Sequence, residues 1–205
     1  MTLTWYGHSC FLLETEKGSV VFDPYEPGSV PGLALPELEA DAVICSHGHR
    51  DHGSSAAVRL TGRRPDFDVL TLPSYHDDRQ GALRGENRLT LIDDGELRLL
   101  HLGDLGCELD AGQLAALGRV DVLLIPVGGY YTIDARQAKR TADALGARTV
   151  VPMHYRGEGF GYAVLAPVDD YLALCGNVRV FDTNALGPEE LGRDMTAVLR
   201  CPVNV

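Results

Sequence analysis

The run His47-Gly48-His49-Arg50-Asp51-His52 packs three imidazoles and a carboxylate into six residues, directly after the apolar stretch Ala42-Val43-Ile44-Cys45. Imidazole and carboxylate are the groups that hold zinc, iron or manganese in catalytic sites. In an extended loop, residues two apart face the same way, so His47 and His49 can converge on one metal. Asp51 and His52 lie beyond them and diverge, so one or both can reach a second metal a few ångströms away. A surface tract or a purification tag would bind metal only adventitiously. This tract is internal, interrupted by Gly48 and Asp51, and fed by an apolar strand.

The other four of the seven histidines also fall near strand ends. His8 follows the first strand, and His76 comes after Val69-Leu70-Thr71-Leu72-Pro73. His101 leads His101-Leu102-Gly103-Asp104, and His154 follows Val150-Val151-Pro152-Met153. A strand followed by a polar ligand is the pattern of a β scaffold that carries a site on one rim.

The elements that must position these groups read as follows. Leu3–Tyr6, Cys10–Thr15 and Ser19–Asp23 are short strands, with Lys17-Gly18 as a turn. Residues 24–36 are a Pro- and Gly-rich loop. Ala42–Ser46 is an apolar strand, and Ser54–Leu60 reads as a short helix. Strands return at Val69–Leu72, Leu89–Asp93 and Leu97–Leu102, then a helix at Ala111–Leu117 and a strand at Val122–Pro126. The clearest helix is Ile133–Leu145, with Thr132 as N-cap, Ala138, Ala142 and Leu145 on one face, and Gly146 as stop. Thr149–Pro152 is a strand, Val168–Leu174 a helix, and Val178–Phe181 and Ala197–Leu199 strands. Strands first, then strands mixed with helices, give two sheets with helices outside.

At 205 residues and 45% hydrophobic content, the chain can bury a sizeable core in a single domain, residues 1–205. No apolar run approaches the roughly 20 residues of a membrane span, and no basic start with a long apolar stretch marks a signal peptide. The five widely spaced cysteines read as reduced thiols of a cytoplasmic protein. A net charge of −11 without a basic stripe argues against a nucleic-acid partner.

The His47–His52 run resembles the signature of the metallo-β-lactamase superfamily. Trp5-Tyr6-Gly7-His8-Ser9 and Phe22-Asp23-Pro24 are similar to the opening of its small prokaryotic hydrolase branch, which includes lactonase-like and phosphodiester-cleaving relatives. His101-Leu102-Gly103-Asp104-Leu105-Gly106 resembles the segment with the metal-bridging aspartate, and Pro152-Met153-His154-Tyr155 the one with the last histidine ligand. The resemblance implies an α/β fold, a four-layer αββα sandwich with two metals at one edge between the sheets.

Carried over residue by residue, it implies that His47, His49 and His76 hold the first metal. Asp51, His52 and His154 hold the second, and Asp104 bridges them. His101 competes with His76, but strand parity puts it on the opposite face from Leu102 and suits it to orienting a ligand. Asp23 resembles a carboxylate that fixes a ligand imidazole. His8 matches a family position outside the usual seven ligands and reads either as a structural residue or as a pocket group beside the ligands. Asp77 and Asp78 read as solvated loop charges, Tyr130 and Tyr131 as turn and packing residues. Cys107 stands where many relatives carry another histidine.

The chemistry so implied uses two divalent transition-metal ions, zinc first and manganese or iron as alternatives. A hydroxide shared by ions about 3.5–4 Å apart attacks a carbonyl or phosphoryl centre, and Asp51 orients it and handles a proton. Arg50, in the ligand loop, and Tyr155 are the first candidates for gripping substrate, with Arg84 and Arg156 behind them. The ions' own charge keeps the centre positive, so a small anionic lactone or phosphodiester suits it. Self-association stays open. Rivals are a mononuclear or di-iron oxidoreductase on the same scaffold and a catalytically silent metal-binding protein. A full ligand set weighs against the mononuclear type, and histidine rather than glutamate at position 49 against the di-iron flavoprotein type.

Overall fold

The computed structural model describes residues 1–203. Side-chain alternation explains its first half. In β1 (Thr2–Trp5), β2 (Phe11–Thr15) and β3 (Gly18–Phe22), Leu3, Trp5, Phe11, Leu13, Val20 and Phe22 enter the main core. Leu12 and Val21 enter a second cluster on the opposite face, as a period of two requires. β1, β2 and β3 pair antiparallel in turn. β5 (Ala42–Ile44) adds beside β3 in parallel, and β13 (Ala185–Leu186) closes the far side against β1.

The larger sheet runs β12 (Val178–Val180), β14 (Met195–Val198), β11 (Thr149–Met153), β10 (Val122–Pro126), β9 (Arg98–His101), β8 (Glu86–Asp93), β7 (Asp68–Tyr75). Its β7-β8-β9 portion is antiparallel and the remainder parallel. β10 is buried at every position, as expected of a parallel strand covered on both faces. Helix α2 (Ala135–Leu145) covers it, with α1 (Ala111–Leu117) and α3 (Asp169–Leu172) alongside. The buried face of α2 is Ala138, Thr141, Ala142 and Leu145, the i, i+3, i+4, i+7 stripe of an amphipathic helix.

The result is the α/β sandwich that the sequence implies. The layer outside the smaller sheet is not helical, however. Tyr25, Val30 and Leu33 from the Pro/Gly loop, with Leu38, Ala40 and Val58, cover that face instead. The last three belong to β4 (Leu38–Ala40) and β6 (Val58–Leu60), a parallel pair of their own.

Strand direction sets where the site forms. Within each sheet, β1, β3 and β5, and β7, β9 and β11, share a direction. Their carboxyl ends lead into His8, Asp23, the His47–His52 loop, His76, Asp104 and His154. Ligand sites of α/β sheets gather at such carboxyl ends.

Several local expectations fail for identifiable reasons. The segment 54–60 is one 3₁₀ turn, Ser55–Ala57, followed by β6, because Val58 is needed in the cluster beneath the loop. The apolar strand read at Ala42–Ser46 is shorter, β5 ending at Ile44, and is half-buried because it forms the sheet's edge. The segment Val168–Leu174 yields only one α-helical turn. The main helix begins two residues later than Ile133. Its cap is Asp134, which accepts the Gln137 N–H at 2.8 Å while the Gln137 side chain receives the Asp134 N–H at 2.9 Å. That reciprocal cap fixes the start at Ala135, while Ile133 is buried ahead of it with its N–H on the Leu105 carbonyl.

Asp134→Ala should therefore lower the unfolding free energy by about 1 kcal/mol, read from urea midpoints. An unchanged midpoint would show that the reciprocal cap does not set this helix start.

Candidate metal centre

The loop after β5 curls because the His49 carbonyl accepts the N–H groups of both His52 (3.0 Å) and Gly53 (2.7 Å). The curl brings the His47 and His49 rings to 4.6 Å between centroids, and His76 lies 4.8 Å from His47 and 5.2 Å from His49. Ligand-type atoms of His47, His49 and His76 fall within 4.8 Å of one another. Those of His8, Asp51, His52 and His154 form a second such group, and His47, His52 and Asp104 a third between them. His52 and His154 are buried, whereas His49 is exposed at the mouth.

Asp104 is the centre of this arrangement. Its Oδ2 stands 3.1 Å from His76 Nε2, 3.2 Å from His52 Nε2 and 3.1 Å from His154 Nε2. The turn that delivers it is held by Asn87, whose side-chain oxygen accepts the Asp104 N–H at 2.9 Å while its amide donates to the Leu102 carbonyl at 2.9 Å. His101 holds the same turn: Nδ1 accepts the Gly103 N–H at 3.0 Å and Nε2 donates to the Ser9 carbonyl at 2.9 Å. With both nitrogens committed and its ring stacked on Phe22, His101 has no lone pair left for a metal. Gly103 has a positive φ of 54°, and a Cβ there would strike Asn87 and Ser46.

Three of the imidazoles, His47, His52 and His76, are oriented from behind, as ligating histidines generally are. Asp23 accepts from His52 Nδ1 at 2.8 Å and from the Ser46 hydroxyl and N–H at 2.6 Å each. The Ser46 hydroxyl oxygen in turn receives Nδ1–H of His47 at 2.9 Å. His76 Nδ1 donates to the Tyr131 carbonyl at 3.1 Å. In each case Nε2 is left to face the cluster. His8, Asp23 and His154 all hold positive φ, 51°, 43° and 54°, a conformation uncommon outside glycine and concentrated at functional sites.

The electrostatics follow from this crowding. Burial alone would raise the Asp104 carboxyl, yet His154 and His52 hold it well below the usual range. Burial likewise opposes protonation of His52, but Asp104 and Asp23 raise it well above its ordinary value, and Asp104 raises His76 too. Burial takes His47 down to about 3 and His8 to about 4, assisted by the neighbouring His52 and His154 respectively.

The residues fit transition-metal ions. His47 Nε2, His52 Nε2, Asp104 Oδ1 and both His8 nitrogens are buried with no hydrogen-bond partner, at a cost of about 1–3 kcal/mol each if nothing compensates them. Two atoms bound at about 2.0–2.1 Å to one tetrahedral ion stand about 3.3 Å apart, close to the spacings around Asp104 Oδ2. His8 Nε2 to Asp51 Oδ2 is also 3.3 Å, so His8 borders the second group directly.

Two expected substrate contacts are not at the centre. Arg50 is exposed and pairs with Glu26 at 2.6 Å, because its loop position turns it outward. Tyr155 is buried against Trp5 and Phe160 and serves the core. Asp77 is no solvated charge either: it is buried and accepts four backbone N–H groups, from Arg79, Gly81, Leu83 and Arg84. Asp78 is exposed, as expected. Ser46, Asn87 and Tyr162 carried no signal in the sequence. Tyr162 places its hydroxyl 2.6 Å from the Ser29 carbonyl and 3.2 Å from Asp51 Oδ2, from a position 111 residues beyond Asp51.

Comparison with known proteins bears on the fold and the family. Residues 2–154 match the family described as beta-lactamase superfamily domain. A UPF0173 metal-dependent hydrolase of Carboxydothermus hydrogenoformans is 29% identical over 195 residues, covering 76% of this chain and 84% of the relative. One from Anaeromyxobacter sp. (strain K) is 31% identical over 202 residues, covering 75% and 74%. A crystal structure from Thermotoga maritima, described provisionally as a Zn-dependent hydrolase of the metallo-beta-lactamase superfamily, superposes with a TM-score of 0.77 at 32% identity, covering 97% of this chain and 98% of that one. Likeness of that extent, on a sandwich with its ligand-type side chains gathered at one edge, makes the chain a member of the metallo-β-lactamase superfamily.

Proposed function

We propose that the protein is a binuclear metal-dependent hydrolase that opens a lactone or phosphodiester-type bond in a small anionic substrate. The observation that carries this is the position of Asp104 Oδ2, 3.1–3.2 Å from imidazoles of both ligand groups. His47, His49 and His76 would hold one ion, Asp51, His52 and His154 the other, with Asp104 between. An imidazole and carboxylate set without thiolate suits zinc, and also manganese or iron. Relatives named as metal-dependent hydrolases support the reading.

When bound, the ions supply Lewis acidity and a nucleophile available at neutral pH. The chain's own groups do the rest. Asp23 and Ser46 fix the His52 and His47 rings. Asp51 stays ionised, because His8 and His52 outweigh the burial that would raise it, and its negative charge would orient the nucleophile. Tyr162 braces its Oδ2. His8, His52 and His154 close the inner side to solvent, so substrate enters past His49.

Elemental analysis should find close to two transition-metal ions per chain after loading with zinc or manganese; one or fewer would sink the binuclear claim. Because the metal-free cluster raises His52 and His76, it holds protons near pH 7 that the ions must displace. Calorimetry in buffers of different ionisation enthalpy should thus show net proton release, with metal affinity falling as pH falls. Proton-neutral binding would contradict the charge arrangement described.

His76→Ala should lose metal and activity, whereas His101→Ala should lose stability with metal largely retained. The opposite pattern would reverse the ligand assignment.

Asp51→Asn should lower kcat and kcat/KM together, by roughly 10²–10⁴-fold for loss of the group that orients the nucleophile, while the ion at His47, His49 and His76 stays bound. Near wild-type rates at matched metal content would remove Asp51 from the machinery.

A further inference from the structure

One arginine lies over the ring of Tyr131, the residue whose carbonyl orients His76. Arg84 is half-buried, lies 5.6 Å from the centroid of the Tyr131 ring, and pairs with no carboxylate among the described residues. Arg50 and Arg140, by contrast, are neutralised by Glu26 and Glu108. Other arginines also lack a carboxylate, but this guanidinium sits over the tyrosine next to the centre, and its five donors match carboxylate and phosphate oxygens.

Its placement is built. Asp77, the residue after His76, accepts the Arg84 N–H at 2.8 Å along with three other backbone donors of the same loop, and the His76 N–H bonds to the Gly85 carbonyl at 3.1 Å. The Arg84 backbone is therefore locked to that of His76. Its ring support is locked too, because the Tyr131 carbonyl orients His76. The Tyr131 ring continues the wall inward, 6.0 Å from Tyr162, whose hydroxyl meets Asp51 Oδ2. Arg84, Tyr131 and Tyr162 thus form one side of an approach that begins with a cation and ends at Asp51.

We propose that Arg84, carried on Tyr131, binds an anionic oxygen group of the substrate, a carboxylate or a phosphate, remote from the bond that is cut. The word substrate rests on the hydrolase reading, but the binding claim does not. A ligand with an anion at each end would place one at the metals and the other on Arg84, with the Tyr131–Tyr162 wall along its middle. This arm selects doubly anionic molecules over singly anionic ones.

The test uses metal-loaded wild type, Arg84→Met, which keeps an apolar stem over Tyr131, and Arg84→Lys, which keeps the charge without the fork. Calorimetry compares acetate, which has one anionic end, with glutarate, which has two. Wild type should bind glutarate at least tenfold more tightly. Arg84→Met should erase most of that advantage, a change of roughly tenfold to a hundredfold for a charge-assisted pair, and Arg84→Lys should keep part of it. Titration with 3-phosphonopropionate then shows whether a phosphate-like or a carboxylate end fits better. The proposal fails if Arg84→Met leaves the glutarate advantage intact. It also fails if affinity for both acids drops equally or metal is lost, since Arg84 would then be structural. In parallel, kcat/KM for mono-4-nitrophenyl glutarate relative to 4-nitrophenyl valerate should fall at least tenfold in Arg84→Met. If neither ester turns over, that counts against this hydrolase reading, while the glutarate comparison still decides Arg84.

Discussion

The arrangement depends on one buried negative charge. Asp104 lies almost wholly out of solvent, and a carboxylate there is tolerable only if positive charge comes to it. Three imidazoles do so, each from a different strand end. Two of them have the outer nitrogen occupied, His52 by Asp23 and His76 by the Tyr131 carbonyl, and the Ser46 hydroxyl holds Asp23 in turn. Asp104 itself needs a turn that no larger residue than Gly103 can make. The scaffold around the centre can be read as the successive answers to that single burial.

The centre is also lopsided. Its inner half is closed by buried His8, His52 and His154, while its outer half opens at His49. The lining on the open side comes from segments distant in the chain, Tyr131, Tyr162 and the Asp77-capped loop. Chemistry is fixed by the strand ends, and access is shaped by the connections between them. That division lets a scaffold keep its reaction while changing its substrate.

Much of this was legible beforehand. Ligand-type residues at fixed offsets after apolar strands announce themselves, and all seven proposed ligands fall in the cluster. Chain-distant partners do not. Ser46, Asn87 and Tyr162 are ordinary polar residues until tertiary packing brings them beside a ligand, and no periodicity marks them. Arg50 misled because adjacency in sequence to His49 and Asp51 is not adjacency in space when alternate residues diverge. Tyr155 misled similarly, pointing from the His154 turn into the core. Asp77 shows a further limit, since a carboxylate capping four backbone amides reads like any loop charge. The helix start was misplaced because Thr132 is an adequate cap, whereas the reciprocal bonds of Asp134 with Gln137 put the start two residues later.

The His8 carbonyl accepts both the Trp5 indole N–H at 3.0 Å and the His154 N–H at 3.3 Å, tying the turn after the first strand to the end of the eleventh. During synthesis this makes assembly of the centre a late event. The ligand-type residues span positions 8 to 154, so the amino-terminal strands leave the ribosome long before their partners exist. Contacts of such separation are slow to form, because chain-closure entropy must be met before they repay it. Until His154 arrives, the nascent chain carries a histidine-rich loop and aspartates with no enclosing pocket. Metal capture is thus coupled to completion of the fold, and an ion bound earlier by the His47–His52 loop alone would be held by a partial and exchangeable set of ligands.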